Sequence, residues 1–146
     1  MNPVFIVDSI RTPRARGNKK GSLCKLRPYD LLDVLYKDIE HKKFFNSEKI
    51  NEVILGCVTQ FGEQAGNIAK SSAMFSGFPD SISGLTVNRF CSSSLDAINL
   101  GYLKIQSQQA ENIIAGGIEM MSRVPMLSDE AAIWNDVALA SQARIF

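Results

Sequence analysis

Apolar positions along this chain follow two rhythms that take turns. Val4-Phe5-Ile6-Val7 is a short continuous apolar run ending at Asp8, the pattern of a strand covered on both faces. Pro28 is then placed as the first residue of a helix whose apolar face is Leu31, Leu32, Val34, Leu35 and Ile39. Lys42 and Lys43 complement its C-terminal end. Val53-Ile54-Leu55-Gly56-Cys57-Val58 reads as a second buried strand, with Cys57 acting as a small hydrophobe. After a loop from Thr59 to Gln64, a helix is predicted from about Asn67 to Ser76, with Ile68, Ala69, Ser72 and Phe75 at helical spacing and Gly77 as its stop. Phe78-Pro79-Asp80 breaks the chain before a β-prone run, Leu85-Thr86-Val87. From Cys91 the period becomes helical again, through Leu95, Ile98, Tyr102 and Ile105. A last short apolar run, Ile113-Ile114-Ala115, ends in Gly116-Gly117.

The predicted order is β-α-β-α-β-α-β with short connections. That alternation argues an α/β fold built on a mostly parallel sheet with helices on both faces. A dinucleotide-binding version is disfavoured, because no G-x-G-x-x-G follows the first strand.

Composition narrows the function classes. At 146 residues the chain is of single-domain size, with 45% hydrophobic and 21% charged residues, which is globular rather than disordered usage. A net charge of +1 gives no general reason to expect nucleic acid or a membrane surface as partner. Three widely spaced cysteines, Cys24, Cys57 and Cys91, suit a reducing compartment, and no C-x-x-C pair suggests zinc. The N-terminal apolar run is four residues long with no basic region ahead of it, unlike a signal peptide, and nothing approaches a membrane span. The expected address is the cytoplasm. Arg11, Arg14, Arg16, Lys19 and Lys20 crowd a loop closed by Gly17 and Gly21. Such a loop is either a solvated face or a contact for an anionic ligand or partner, and it lacks phosphate-loop spacing.

The candidate chemistry is at Cys91. It sits where the Leu85–Val87 run hands over, through Asn88-Arg89-Phe90, to a helix. There its sulfur would meet unpaired backbone N–H groups and the positive end of the helix dipole. Ser92, Ser93, Ser94 and Ala97 give the helix a thin waist suited to tight packing. The plainer alternative is a buried structural cysteine, but strand, turn, cysteine and small residues in succession point to a nucleophile. His41, the only histidine, lies between Glu40 and Lys42 at an exposed helix end and reads as a surface residue.

Val87-Asn88-Arg89-Phe90-Cys91-Ser92-Ser93-Ser94-Leu95 resembles the acyl-enzyme cysteine signature of thiolases, and Ala115-Gly116-Gly117-Ile118-Glu119-Met120-Met121-Ser122-Arg123-Val124-Pro125-Met126 is similar to the family's entry into its loop domain. Arg11-Thr12-Pro13, the Val53–Val58 run and Glu63-Gln64 also resemble thiolase segments, so that the likeness extends to about Asp129. Cys91-Ser92-Ser93-Ser94-Leu95 alone would also fit ketoacyl synthases; the flanking residues and the early position of the cysteine favour thiolases.

The resemblance implies a thiolase N-terminal α/β domain over residues 1–118 and the truncated start of a loop domain over 119–146. It implies acyl transfer between 3-ketoacyl-CoA and CoA, in fatty acid metabolism such as beta-oxidation or in the reverse condensation. Cys91 would be the nucleophile carrying an acyl thioester, and its backbone N–H an oxyanion donor. Met121 and Ser122 would lie near the substrate, or else simply pack their loop. No cofactor or metal is implied beyond coenzyme A as substrate carrier, and the assembled family member is a homo-oligomer, a dimer or dimer of dimers. The activating histidine and the second, proton-transferring cysteine of the family lie in motifs absent here, so these residues alone are expected to be inactive or nearly so. The alternative is a non-catalytic fragment that acts at most as an association module. The segment 128–146 carries Ile133, Trp134, Val137, Leu139 and Phe146, which the sequence alone gives no place to bury.

Overall fold

The computed structural model describes residues 3–130. The first regular element is α1 (Pro28–Glu40), entered through Arg27. The Asp30 carboxylate accepts from the Arg27 backbone N–H at 2.8 Å and is forked by its guanidinium, which closes the first turn. Strand β1 (Glu52–Gly56) follows, then α2 (Ile68–Phe75), β2 (Ser83–Val87), α3 (Ser93–Gln106) and β3 (Ile113–Gly117). Asn67 caps α2 by accepting from the Lys70 N–H.

Among the described residues the sheet has three strands, all parallel, in the order β2-β1-β3. Strand alternation assigns each face. Val53, Leu55 and Cys57 point into a core made with Leu32, Tyr36, Ile68, Ala69, Ala73, Phe78 and Ile82, on the side of α1 and α2. Glu52 and Gly56 point the other way, to α3: Glu52 accepts a 2.5 Å hydrogen bond from Lys104, and Gly56 lies against the α3 N-terminus. Helices therefore cover both faces, as the alternation of periods predicts.

Two expectations change. Val4–Val7 is not a strand: Phe5, Ile6 and Val7 are 75%, 84% and 69% exposed, and the Asp8–Lys42 ion pair ties the end of the run to the end of α1. An apolar run carries hydrophobicity but not the neighbour that must supply its hydrogen bonds, and among the described residues the three strands pair only with one another. The element order is thus α-β-α-β-α-β within the same α/β class. On α1, Val34 is exposed and Tyr36 takes a core place instead, its ring 5.0 Å from that of Phe78 and its hydroxyl on Ser72.

Helix α3 forms where its period places it, but it seats its small residues inward. Ser93, Ala97 and Gly101, spaced by four, are buried against the sheet, and a Cβ at Gly101 would touch Ile113 and Ala115. Leu95, Ile98 and Tyr102 face outward at 58%, 45% and 45% exposure. The residues 131–146, including the apolar tail positions from Ile133 to Phe146, lie outside the described residues.

Candidate active site

Parallel register brings the C-terminal ends of all three strands level, Gly56 opposite both Val87 and Gly117. In open α/β sheets the loops leaving this edge form the ligand-binding crevice. Cys91 lies there, exposed, one residue before the α3 cap Ser92.

The turn that presents it is tied by several hydrogen bonds. Asn88 Oδ1 accepts from the Phe90 N–H at 2.9 Å, and Asn88 Nδ2 donates to the Val58 carbonyl at 3.1 Å, which binds the turn to the end of β1. The Arg89 guanidinium pairs with Asp96 one turn into α3. Phe90 stands in the left-handed region at φ 47°, where a bulky L-residue costs roughly 1–2 kcal/mol. The small residues after Cys91 have a steric reason. A Cβ on Gly56 would come 2.4 Å from Ser93 C and Ser94 N, and one on Gly117 would come within 2.0 Å of Ser94 Oγ. The helix start therefore rests directly on strand backbone, which glycine at positions 56 and 117 allows.

A second set of residues ties this edge to the segment after β3. Glu119 accepts from the Val58 N–H at 2.8 Å and from Gln64 Nε2 at 3.0 Å. Gln64, fully buried, also donates to the Thr59 carbonyl at 2.8 Å and accepts from the Met120 N–H at 2.6 Å. Asn88, Val58, Glu119, Gln64 and Met120 thus form one continuous chain of hydrogen bonds across the edge. Pattern reading missed the roles of Gln64 and Glu119. The available signal was a glutamine between two glycines in a loop directly after a buried strand, and an acid directly after another.

Met121 and Ser122 line a groove with Thr12 to Gly17, Gly117 and Glu119, so that Arg14 and Arg16 of the basic loop come beside them. Ser122 also lines a second groove with Lys19, Cys24, Glu63 and Arg123. Cys91 lines neither groove. Cys57 is buried, and loss of solvation, with the Glu119 carboxylate adding to it, pushes its thiol up to about 12, so it is inert at neutral pH. His41 caps the C-terminus of α1, exposed, on the helix layer opposite α3. No three His, Cys, Asp or Glu side chains converge as a metal site among the described residues. None of the described helices is long and apolar enough to cross a membrane.

Comparison with known proteins agrees with this arrangement. Residues 4–144 match the family described as thiolase, N-terminal domain. The chain is 42% identical over 145 residues to a 3-ketoacyl-CoA thiolase of Colwellia psychrerythraea, covering 97% of this chain and 37% of that protein. It is 37% identical over 147 residues to the 3-oxoadipyl-CoA/3-oxo-5,6-dehydrosuberyl-CoA thiolase of Escherichia coli, covering 100% and 35%. The crystal structure of the Bacillus anthracis acetyl-CoA acetyltransferase superposes with a TM-score of 0.67 at 34% identity, over 72% of this chain and 26% of that one. The chain spans little more than a third of the length of these curated relatives. It belongs to the thiolase family, and what it carries is that family's N-terminal domain.

Proposed function

We propose that Cys91 is the acyl-accepting nucleophile of a thiolase reaction on 3-ketoacyl-CoA. The observation that carries this reading is the display of an exposed thiol on a braced, left-handed turn at the carboxyl edge of a parallel sheet, in a chain of this family. The thiolate attacks the keto carbon, and the bond between the α and β carbons breaks. Its electron pair leaves on the acetyl-CoA carbon, which takes a proton, while the shortened acyl group stays on sulfur as a thioester. A second CoA then displaces the thioester, and the reverse sequence is the condensation. Division of the cleavage into two transfers is the gain from the covalent step, and the Cys91 backbone N–H is the proposed oxyanion donor.

Met121 and Ser122 are the proposed substrate contacts, supported by their place in the groove beside Arg14 and Arg16. No described side chain hydrogen-bonds the Cys91 thiol, and His41 is remote on the α1 side. The base and the proton donor are therefore proposed to come from parts of the enzyme beyond these 146 residues, with turnover near background for this chain alone. The working enzyme is further proposed to be a homo-oligomer in the cytoplasm.

The test is intact-mass analysis after exposure to acetyl-CoA, with peptide mapping and Cys91→Ala as control. The expected result is one acetyl group, on Cys91, absent from the variant. No adduct, or adducts spread evenly over Cys24, Cys57 and Cys91, overturns the nucleophile. It would favour the second reading, in which these residues act at most as an association module.

A further inference from the structure

The turn before Cys91 needs something to hold it, because Phe90 at φ 47° does not stay left-handed unaided. Its own N–H is taken by Asn88. Ser93 does the rest from the other side. The Arg89 N–H donates to Ser93 Oγ at 2.8 Å, and the same hydroxyl donates to the Phe90 carbonyl at 2.6 Å, beside the Ser93 N–H at 3.1 Å. One hydroxyl thus accepts from the N–H of Arg89, the residue before Phe90, and donates to the carbonyl of Phe90 itself. Ser93 itself is buried, and its backbone is seated on Gly56 with no room for a Cβ between them. The position of the sheet is in this way passed to Ser93, from Ser93 to the Arg89 N–H and the Phe90 carbonyl, and from Phe90 to the next residue, Cys91.

We propose that Ser93 is a positioning residue for the Cys91 nucleophile: its hydroxyl clamps Phe90 in the left-handed conformation that aims the thiol, and it touches no substrate itself. The proposal rests on the nucleophile reading above. It differs from a general packing role in one respect. The hydroxyl matters only because residue 90 is strained, so a residue that is unstrained at positive φ makes it dispensable.

The experiment compares the full chain with Ser93→Ala and with Ser93→Ala/Phe90→Gly. For each, the acetylation rates of Cys91 and Cys24 by acetyl-CoA are followed by peptide mapping, and the melting temperature is recorded. Loss of a hydrogen-bond pair at a braced turn is expected to slow Cys91 about tenfold in Ser93→Ala, the rate equivalent of one such bond. Cys24 should be unchanged, and the added glycine should return Cys91 to within about twofold of the starting rate. An unaltered Cys91 rate in folded Ser93→Ala overturns the proposal. So does a folded double variant that stays slow. If Ser93→Ala does not fold, the double variant decides by the same criterion, and its failure to fold as well would mean that Ser93 serves stability rather than aim. Should the unmodified chain acetylate Cys91 no faster than Cys24, the nucleophile reading itself falls, a result distinct from the other outcomes.

Discussion

Gln64 illustrates how much a single buried amide can organise. All of its polar atoms are used: the amide nitrogen serves Thr59 and Glu119, and the oxygen takes the Met120 N–H. Gln64→Leu keeps much of the volume but leaves the Met120 N–H without a partner in the interior, whereas the Thr59 carbonyl keeps the Phe61 N–H. A loss of about 1–3 kcal/mol is expected, read from the denaturant midpoint at unchanged slope. Gln64→Glu should be less damaging, because it keeps the acceptor for Met120, although it sets a carboxylate against Glu119. This residue lies in a polar loop after a strand, and local pattern gives no sign of its burial. Two of its three partners are 55 and 56 positions away, and spacing rules report on neighbours along the chain. The place of Cys91 between a strand and a helix, by contrast, was legible, because strand, turn and helix around it are all local signals.

At the scale of elements, α3 is defined by what it lacks. Its serines, alanine and glycine let it approach the sheet so closely that Gly56 has no space for a methyl group. Gly56→Ala must therefore push the α3 N-terminus away or bend β1. Overpacking of this kind costs about 1–3 kcal/mol, and the expected result is a melt lowered accordingly. Slower acetylation of Cys91 should accompany it, since the helix start is displaced. A Gly56→Ala variant with wild-type stability and rate would show that the contact is softer than described. Helix and strand spans were readable from periodicity to within a residue or two. The facing of α3 was not, because a helix whose large residues point outward violates the rule that the apolar stripe meets the core of the same chain. For the same reason Val4–Val7 looks like a strand in isolation and is none in the fold. Whether an apolar run is paired depends on which edge is presented to it.

The whole molecule is pinned across its loops by charge. Arg27 caps α1 with Asp30, and Arg123 forks Glu63 through two hydrogen bonds while donating to the Cys24 carbonyl. The Arg27 side chain holds the Asp30 carboxyl down at about 2, first through their side-chain hydrogen bonds. Arg123, again through its hydrogen bonds, lowers Glu63. A carboxyl whose folded value lies below its unfolded value of about 4 stabilises the fold above that pH and loses its contribution as pH falls toward the folded value. The Asp30→Asn variant should thus melt below the parent at neutral pH, and the gap should close between about pH 4 and pH 2. A gap that persists at the acid end would mean that the capping geometry, not the charge, carries the effect. Both carboxyls are solvent-accessible, so added salt should narrow the gap at neutral pH.

The order β2-β1-β3 also has a consequence for the time at which structure appears. The central strand is the earliest of the three in the chain, and each flanking strand reaches it only after a helical crossover. On a ribosome, β1 would emerge with neither neighbour made, gain β2 about thirty residues later and β3 about thirty after that. Both edges of a wholly buried strand, and the face that α3 covers, stay open through much of that interval. Synthesis therefore passes through a stage in which the most apolar segment of the sheet is exposed, and non-local parallel pairing makes that stage slow. Chaperone dependence and loss to aggregates during expression are the practical signs of it, set by topology before any chemistry at Cys91 begins.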